Sequence, residues 1–161
     1  YSISKIAAET VASFVAKQFA IPLTIARLNV PYGNFACWPY FHYMMMKNNM
    51  AIDVHATQPN YFSPIHENDY IAAIPYLLAA ASPDVCTVNL AGKEAVSVEQ
   101  WCAYIGELTG LTPQFKASAK ALGSVIVDTQ KLQSMAEINY MPWQQGIKEM
   151  LMAMAPDAVI Q

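Results

Sequence analysis

The chain has 161 residues and a net charge of -3, and it is 55% hydrophobic but only 13% charged. It has no basic run to support binding to nucleic acid or to an anionic membrane, no apolar stretch long enough to cross a bilayer, and neither a signal peptide nor a metal-ligand spacing. Its three cysteines are odd in number and widely spaced, which favours buried free thiols in a cytoplasmic protein. A chain this apolar either buries a large core or hides surface against a partner or another part of its own fold.

The first part of the chain predicts a helix that leads into a strand. Residues 2–19 carry apolar side chains at helical spacing, and Pro22 is expected to end the helix. Residues 23–28 are apolar and β-branched, which predicts a buried strand, and residues 31–33 are expected to break it. A helix followed by a strand is half of a parallel crossover unit.

The middle of the chain predicts short elements around an aromatic and methionine-rich segment. Pro39 is expected to open a short helix within residues 34–50, and a short strand follows near residues 52–54. Residues 69–81 predict a helix with one apolar side, in which Pro75 should introduce a kink. Residues 86–90 predict another strand.

The last part of the chain contains the clearest local signal. Ser97 and Gln100 form a capping-box pattern that starts a helix, and Gly110 is expected to end it. Residues 114–117 predict a short strand, Asp128 is expected to cap a short helix, and residues 142–154 predict the last helix. The alternation of helices and strands predicts an α/β fold.

A tyrosine and a lysine lie four residues apart at the start of the first helix. Tyr1 and Lys5 should therefore share one helix face. An ammonium beside a phenol stabilises the phenolate, so the hydroxyl can exchange a proton with a substrate hydroxyl or carbonyl while a cofactor carries hydride. Such pairs also occur by chance on solvated helix faces, and alone the pair leaves both interpretations open.

Several segments, in chain order, resemble the extended short-chain dehydrogenases of the NAD-dependent epimerase/dehydratase family. Residues 1–9 are similar to the Y-x-x-x-K active-site helix of that family, and residues 25–33 to its following strand and R-x-x-x-x-Y-G loop. Later matches are residues 61–69, residues 88–92, the helix from Ser97 to Gly110, and Gly146-Ile147. The resemblance covers nearly the whole chain, and the chain is interpreted as a C-terminal portion of such a protein.

The resemblance implies the last part of a Rossmann-like parallel sheet with flanking helices, plus a smaller α/β substrate-binding region, with the N-terminal half of the fold missing. Residues 1–35 would end the dinucleotide-binding domain. Residues 36–161 would be mainly the substrate-binding part, with residues 67–92 packing back on the dinucleotide-binding sheet.

The same resemblance assigns roles to five residues. Tyr1 would be the general acid/base, and Lys5 would support it and hydrogen-bond the nicotinamide ribose. Asn29, Val30 and Pro31 would line the nicotinamide side of a cleft for NAD or NADP. A plain strand-ending turn is the alternative for the last three.

Other polar residues of the matching segments are expected to be structural. Arg27 should make an ion pair, and Glu9 should be a helix-face partner for Lys5 or a backbone anchor rather than a base. His66 is expected to be a hydrogen-bonded packing residue. Asp69 is expected to cap the following helix.

Three departures from the family pattern refine the expected function. The glycine-rich phosphate loop is absent, so the chain alone should bind a dinucleotide poorly. Residues 58–62 lack the arginine that grips a substrate diphosphate in nucleotide-sugar enzymes, which favours a smaller carbonyl, alcohol or unactivated sugar. Tyr1 is the first residue, so its amino group adds a charge and the first turn is expected to fray.

The leading hypothesis is therefore a fragment of an NAD(P)-dependent oxidoreductase or epimerase, inactive alone, that acts on a small-molecule substrate. A non-catalytic cofactor sensor of the same fold is one alternative. A module that self-associates as a homodimer through residues 2–19 is another. Residues 35–46 either line a substrate pocket or pack in the core or a dimer interface.

Overall fold

The computed structural model describes residues 1–57 and 59–160 as an α/β fold of short strands and six α-helices. The elements within this described part are α1 (Ser2–Gln18), β1 (Thr24–Leu28), β2 (Pro31–Tyr32), α2 (Trp38–Lys47), β3 (Ile52–Val54), β4 (Tyr61–Phe62), β5 (Ile65–His66), α3 (Glu67–Ala79), β6 (Cys86–Leu90), β7 (Val96–Ser97), α4 (Val98–Thr109), β8 (Phe115–Ala117), α5 (Gln130–Met135) and α6 (Trp143–Met154), followed by a 3₁₀ turn at Pro156–Ala158.

Among the described residues, three of the four strand pairs are parallel. β1 pairs with β6 in a register that runs from Thr24 opposite Cys86 to Leu28 opposite Leu90. β2 pairs with β5 and β3 pairs with β8 in the same sense, whereas β4 and β7 are antiparallel. The carboxyl ends of β1 and β6 therefore meet at one edge of the fold, as expected for the parallel part of an α/β protein.

β1 differs from the prediction in two respects. The strand was expected to be buried, but Ala26, Arg27 and Leu28 are exposed, because β6 is its only paired strand among the described residues and α3 covers only part of it. The expected break at residues 31–33 is also displaced. The chain turns at Val30, and Pro31 already belongs to β2.

Two apolar cores hold the elements together. The larger lies among α2, α4, α6 and the strands β3 and β4, and its fully buried members include Tyr43, Ile52, Trp101 and Met150. The smaller lies between α3, α5, β5 and β6. Burial of each large apolar side chain contributes about 1.5–3 kcal/mol, so the larger core contributes most to the stability of the fold.

Two helices, α1 and α3, leave apolar side chains uncovered. α1 buries only Ala16, while Ile3 is 83% and Phe14 68% exposed. On α3, where an apolar side was predicted, Leu77 is buried but Leu78 is 71% exposed. Part of the high apolar content thus lies on the exposed faces of these helices rather than in a core. None of the helices in the described ranges combines the length and the apolarity needed to cross a membrane.

The local signals at helix ends are largely confirmed. Pro39 lies in the first turn of α2, Ser97 and Gln100 form the predicted capping box of α4, and Gly110 ends that helix with a φ of 71°. The N-cap residue of α5 is Thr129 rather than Asp128. The Asp128 carboxylate nevertheless accepts a hydrogen bond from the backbone of Gln130 at 2.8 Å.

α3 corrects one prediction. It begins at Glu67, two residues before the expected start, and it continues through Pro75 to Ala79. Its N-cap is His66, whose Nδ1 accepts a hydrogen bond from the Asn68 N–H at 3.3 Å. Asp69 therefore does not cap the helix, because the chain passes from β5 into α3 without an intervening loop.

All three cysteines are free thiols. Cys37 and Cys102 are buried, and burial raises the pKa of both. Cys86, at the start of β6, is only partly buried, in contrast to the expectation.

The capping box of α4 gives a direct stability test. Ser97→Ala removes the hydroxyl that accepts a hydrogen bond from the Gln100 N–H at 3.0 Å, at a residue that is 1% exposed. We expect a loss of about 1 kcal/mol in the free energy of unfolding, measured by urea denaturation. Ser2→Ala, at an exposed position in α1, is the matched control and should change it little. Equal stability of the two variants would contradict the assignment.

Candidate active site at the start of the first helix and the end of the first strand

Tyr1 and Lys5 lie one helical turn apart at the beginning of α1. The Lys5 ammonium nitrogen is 5.3 Å from the centroid of the Tyr1 ring. The Lys5 N–H and the Ser4 hydroxyl both donate to the Tyr1 carbonyl oxygen, at 3.2 and 2.6 Å, which closes the first turn. Tyr1 is 94% exposed. The two side chains therefore share one face of the helix, as their spacing predicts, and both are open to solvent.

An ion pair joins α1 to β1. Arg27 donates from Nε to Glu9 Oε1 at 3.0 Å and from Nη2 to Glu9 Oε2 at 2.7 Å. This hydrogen bond from Arg27 holds the pKa of the Glu9 carboxyl below its usual range. The expected ion pair of Arg27 is confirmed, and the partner of Glu9 is Arg27 rather than Lys5.

The loop after β1 is held by the side chain of Asn29. Its Oδ1 accepts a hydrogen bond from the Ser63 N–H at 3.2 Å, and its Nδ2 donates to the Val125 carbonyl at 3.2 Å. The backbone N–H of Asn29 donates to the carbonyl of Leu90, at the end of β6. Three separate segments of the chain thus converge on one residue at the carboxyl end of β1.

Val30 turns the chain between β1 and β2. Its φ of 32° lies in the left-handed region, which is unfavourable for a β-branched residue. The Val30 carbonyl accepts the Ile65 N–H at 3.1 Å, and Pro31 then pairs with Ile65. Asn29, Val30 and Pro31 therefore form a hydrogen-bonded corner at the edge where two parallel strands end, a more constrained structure than a plain turn.

His66 and Asp69 both have structural partners. His66 caps α3, contacts the Tyr32 ring edge-on at 5.2 Å and is 3% exposed. The Asp69 carboxylate accepts the Met141 N–H at 3.2 Å, and burial raises its pKa. The Nε2 atom of His66 is buried without a partner among the described residues. The structural role expected for His66 agrees with its burial and its cap.

The aromatic and methionine-rich segment divides between the two roles left open by the sequence. Tyr43 and Met46 are buried in the larger core. Trp38 and His42 instead line a cavity of about 270 Å³, together with Phe62 and residues 120–122. Some members of the segment therefore pack in the core, and others line a cavity.

Trp101 is the residue of this region that sequence reasoning missed. Its Nε1–H donates to Nδ1 of His42 at 2.9 Å, and the planes of the two rings differ by only 16°, so the rings lie side by side. In the sequence Trp101 is one apolar residue of a capped helix, 59 positions from His42. No local pattern links residues at that separation.

Phosphate-binding groups are scarce in the chain. Arg27 is its only arginine, and it is engaged with Glu9. Asn60, in the stretch where the family carries an arginine, is 2% exposed. Its side chain accepts a hydrogen bond from the His55 N–H and donates one to the Leu122 carbonyl. Gln58 of that stretch lies outside the described residues. Within the described part, no group of three or more His, Cys, Asp or Glu side chains is arranged to hold a metal ion.

Comparison with known proteins gives matches in structure only. No protein-family model and no curated protein sequence matches the chain. Among solved structures, UDP-glucose 4-epimerase from Thermotoga maritima, in complex with UDP-glucose, superposes with a TM-score of 0.79 at 16% identity, over 95% of this chain and 52% of that one.

Two further structures match in the same way. UDP-glucuronic acid 4-epimerase from Bacillus cereus, in complex with UDP-glucuronic acid and NAD, has a TM-score of 0.80 at 16% identity, over 95% of this chain and 51% of that one. dTDP-glucose 4,6-dehydratase from Bacillus anthracis, in complex with NAD, has a TM-score of 0.76 at 19% sequence identity, over 95% of this chain and 51% of that one. The chain has the fold of the C-terminal part of these enzymes.

The predicted fold class is thereby confirmed, and so is the resemblance to epimerases and dehydratases at the level of fold. The chain spans about half the length of the solved structures it matches. Sequence motifs that are weak one by one thus predicted a fold that identities of 16–19% alone would not reveal.

The ion pair between α1 and β1 gives a pH-dependent prediction. The pKa of Glu9 is lowered in the fold, so the pair is complete above the ordinary value of 4.5 and is lost as the pH falls through the lowered pKa. We expect the Arg27 Nε–H resonance to shift in that acidic window in an NMR titration. Glu9→Gln should abolish this shift and Glu107→Gln, at an exposed position on α4, should leave it. A shift retained in Glu9→Gln would contradict the assignment.

Proposed function

We propose that this chain is the C-terminal part of an NAD(P)-dependent oxidoreductase or epimerase that acts on a small carbonyl, alcohol or sugar-like substrate. The observation that carries the proposal is the position of the Lys5 ammonium over the Tyr1 ring, on a helix whose Glu9 is bonded to Arg27 in the strand that Asn29 follows. The fold of NAD-dependent epimerases and dehydratases supports the same reaction class.

The proposed proton transfer needs only Tyr1 and Lys5. The Lys5 cation stabilises negative charge on the phenol oxygen. The Tyr1 hydroxyl can then donate a proton to a substrate carbonyl oxygen as it becomes a hydroxyl, or accept one in the reverse direction. A non-catalytic sensor would not need this pair, so the pair disfavours that alternative.

The corner at Asn29 to Pro31 fits the nicotinamide end of a dinucleotide. It lies where two parallel strands end, which is where α/β sheets bind such ligands. Its rigidity, from the two hydrogen bonds of the Asn29 amide, would hold the Val30 and Pro31 backbone in a constant position. When bound, NAD or NADP supplies the hydride donor or acceptor. The Lys5 ammonium is the group proposed to hold its ribose.

No arginine of this chain is free to bind the diphosphate of a dinucleotide, because the single arginine, Arg27, is bonded to Glu9. We therefore assign the pyrophosphate site to the first half of the fold, outside these 161 residues. We further propose that residues 1–35 complete the dinucleotide-binding domain, that residues 36–161 bind substrate, and that residues 67–92 return to the sheet. The pairing of β6 with β1 supports this last assignment.

Substitution of Tyr1 tests the mechanism in the full-length protein that carries this chain. Tyr1→Phe removes the hydroxyl and keeps the ring under the Lys5 ammonium. We expect kcat to fall roughly 100- to 10,000-fold, the usual contribution of a general acid or base. The measurement is NADH or NADPH consumption with small carbonyl substrates.

Tyr76→Phe, on the exposed side of α3, is the matched control and should keep wild-type turnover. Turnover that is unchanged by Tyr1→Phe would refute the proposed proton transfer.

Self-association through α1 is a second candidate function, favoured by the apolar outer face of that helix. Ile3, Ile6, Val11 and Phe14 are all more than 60% exposed. Apposition with α1 of a second copy would remove this surface from water, at about 25 cal/mol for each Å² of apolar area.

Sedimentation of the chain at increasing concentration tests this second function. We expect a dimer that Phe14→Glu dissociates and that Phe41→Glu, an equally drastic change at an exposed site on α2, leaves intact. A wild-type chain that is monomeric at every concentration would exclude it.

A further inference from the structure

The loop of residues 33–37, which joins β2 to α2, is anchored at both ends and exposed in its middle. Tyr32, just before the loop, pairs with His66. Cys37, its last residue, is buried. Within the described ranges, no backbone–backbone hydrogen bond joins residues 33–36 to another segment. The middle of the loop therefore depends on a side chain for its position.

One carboxylate ties the middle of this loop to α3. Oε1 of Glu67, the first residue of α3, accepts the Asn34 N–H at 2.6 Å. A hydrogen bond to a carboxylate is shorter and roughly twice as strong as one between neutral groups. Burial raises the pKa of the Cys37 thiol, and the negative charge of Glu67 adds to that rise. The Glu67 carboxylate thus lies close to both the middle and the end of the loop.

The bond from Asn34 continues the hydrogen-bond ladder between β2 and β5. The register places Pro31 opposite Ile65, and the Ile65 N–H donates to the Val30 carbonyl at 3.1 Å. In a parallel pair with this register, the acceptor next in line for the Asn34 N–H is the carbonyl of Glu67. Because α3 begins at Glu67, that carbonyl belongs to the helix, and the carboxylate accepts the N–H in its place.

Gly33 leaves open the space in which the carboxylate lies. A Cβ atom at residue 33 would lie 2.5 Å from Cδ and 2.6 Å from Oε1 of Glu67, closer than such atoms approach each other in proteins. An alanine at this position would therefore have to displace the carboxylate from the Asn34 N–H. The contact between Glu67 and Asn34 can thus be broken from either side.

The loop directly follows the corner that is proposed to hold the nicotinamide. The Asn29 amide fixes this corner from the side of β1. On the other side, β2 contains only Pro31 and Tyr32, so two paired residues separate the corner from the loop. Movement of the loop would therefore reach Pro31 unless the Glu67 carboxylate prevents it.

We propose that Glu67 is a positioning residue of the proposed active site, whose carboxylate holds residues 33–37 and, through them, the corner of Asn29, Val30 and Pro31. The contact itself does not depend on catalysis, whereas its effect on hydride transfer rests on the proposed function. That effect is geometric, because a misplacement of about 1 Å between reacting groups can slow a reaction roughly 100-fold.

Hydrogen exchange at the Asn34 amide tests the contact without any need for turnover. Glu67→Ala removes the acceptor, and we expect this amide to exchange at least roughly tenfold faster in the full-length protein that carries this chain. Glu107→Ala, at an exposed position on α4, is the matched control and should leave the exchange unchanged. Exchange at Asn34 that is the same in Glu67→Ala and wild type would overturn the proposal.

Glu67→Gln separates the contact from the charge at the start of α3. Glutamine keeps an oxygen that can accept the Asn34 N–H, so it should restore most of the protection that Glu67→Ala loses. If Glu67 acted only on the helix dipole, the loss of its charge would matter instead. Glu67→Gln that exchanges as fast as Glu67→Ala would therefore contradict the proposal.

Gly33→Ala tests the same contact from the other side. It should speed exchange of the Asn34 amide in the wild-type background and add much less in Glu67→Ala, where the side chain that it displaces is absent. An equal effect in both backgrounds would assign the change to the backbone of residue 33 and contradict the contact.

Kinetics of the full-length protein test the positioning role. We expect Glu67→Ala to lower kcat roughly tenfold, with the KM of the cofactor within about twofold of wild type, and Glu67→Gln to recover most of the kcat. Deuterium at the transferred position of NADH or NADPH should give a larger isotope effect in Glu67→Ala, because hydride transfer becomes slower relative to the other steps.

A purely structural role predicts a different kinetic result. It would reduce the folded fraction and leave the isotope effect at its wild-type value. Faster exchange at Asn34 with an unchanged isotope effect would therefore overturn the positioning role.

The outcomes also separate this proposal from the proposed function. A full-length protein without turnover, in which Asn34 exchange depends on Glu67, would remove the enzyme assignment and leave the contact standing. Turnover that depends on Tyr1 but not on Glu67 would do the opposite.

Discussion

The side-chain amide of Asn29 is the contact on which the arrangement of the candidate site depends. Asn29 directly follows β1, and its amide bonds two other segments at once, through the Ser63 N–H and the Val125 carbonyl. Each bond is of ordinary strength, contributing about 1 kcal/mol. Their effect is geometric, because they fix the positive-φ turn at Val30 against Ser63 and Val125. The neighbouring residues Phe62 and Leu122 line the cavity beside His42.

This constraint explains how a site can be assembled from distant parts of the chain. The proposed catalytic pair belongs to α1, which buries only Ala16 and is bonded to β1 by Arg27. That ion pair is exposed, so it orients the helix more than it stabilises the fold. Both apolar cores are built from other parts of the chain, and neither contains a residue of α1.

Features set by a few neighbouring residues were predictable from the sequence, and those set by distant residues were not. The α4 helix was predicted from its start at Ser97 to its end at Gly110, because capping boxes and left-handed C-caps are local. The cap of α3 was misassigned to Asp69, because nothing local shows that β5 runs directly into the helix. The exposure of β1 was not predictable, because it depends on which other elements cover the strand. The hydrogen bond between His42 and Trp101 was not predictable either, because it joins residues 59 positions apart.

The most direct measurement of the central claim is hydrogen exchange at the Ser63 amide in Asn29→Ala. Loss of the acceptor should speed exchange of that amide roughly tenfold, the effect of about 1.4 kcal/mol, while amides of the larger core such as Ile105 keep their protection. Asn139→Ala, at an exposed position, is the control and should change neither. Unchanged protection of Ser63 in Asn29→Ala would show that the corner is held by something other than the Asn29 amide.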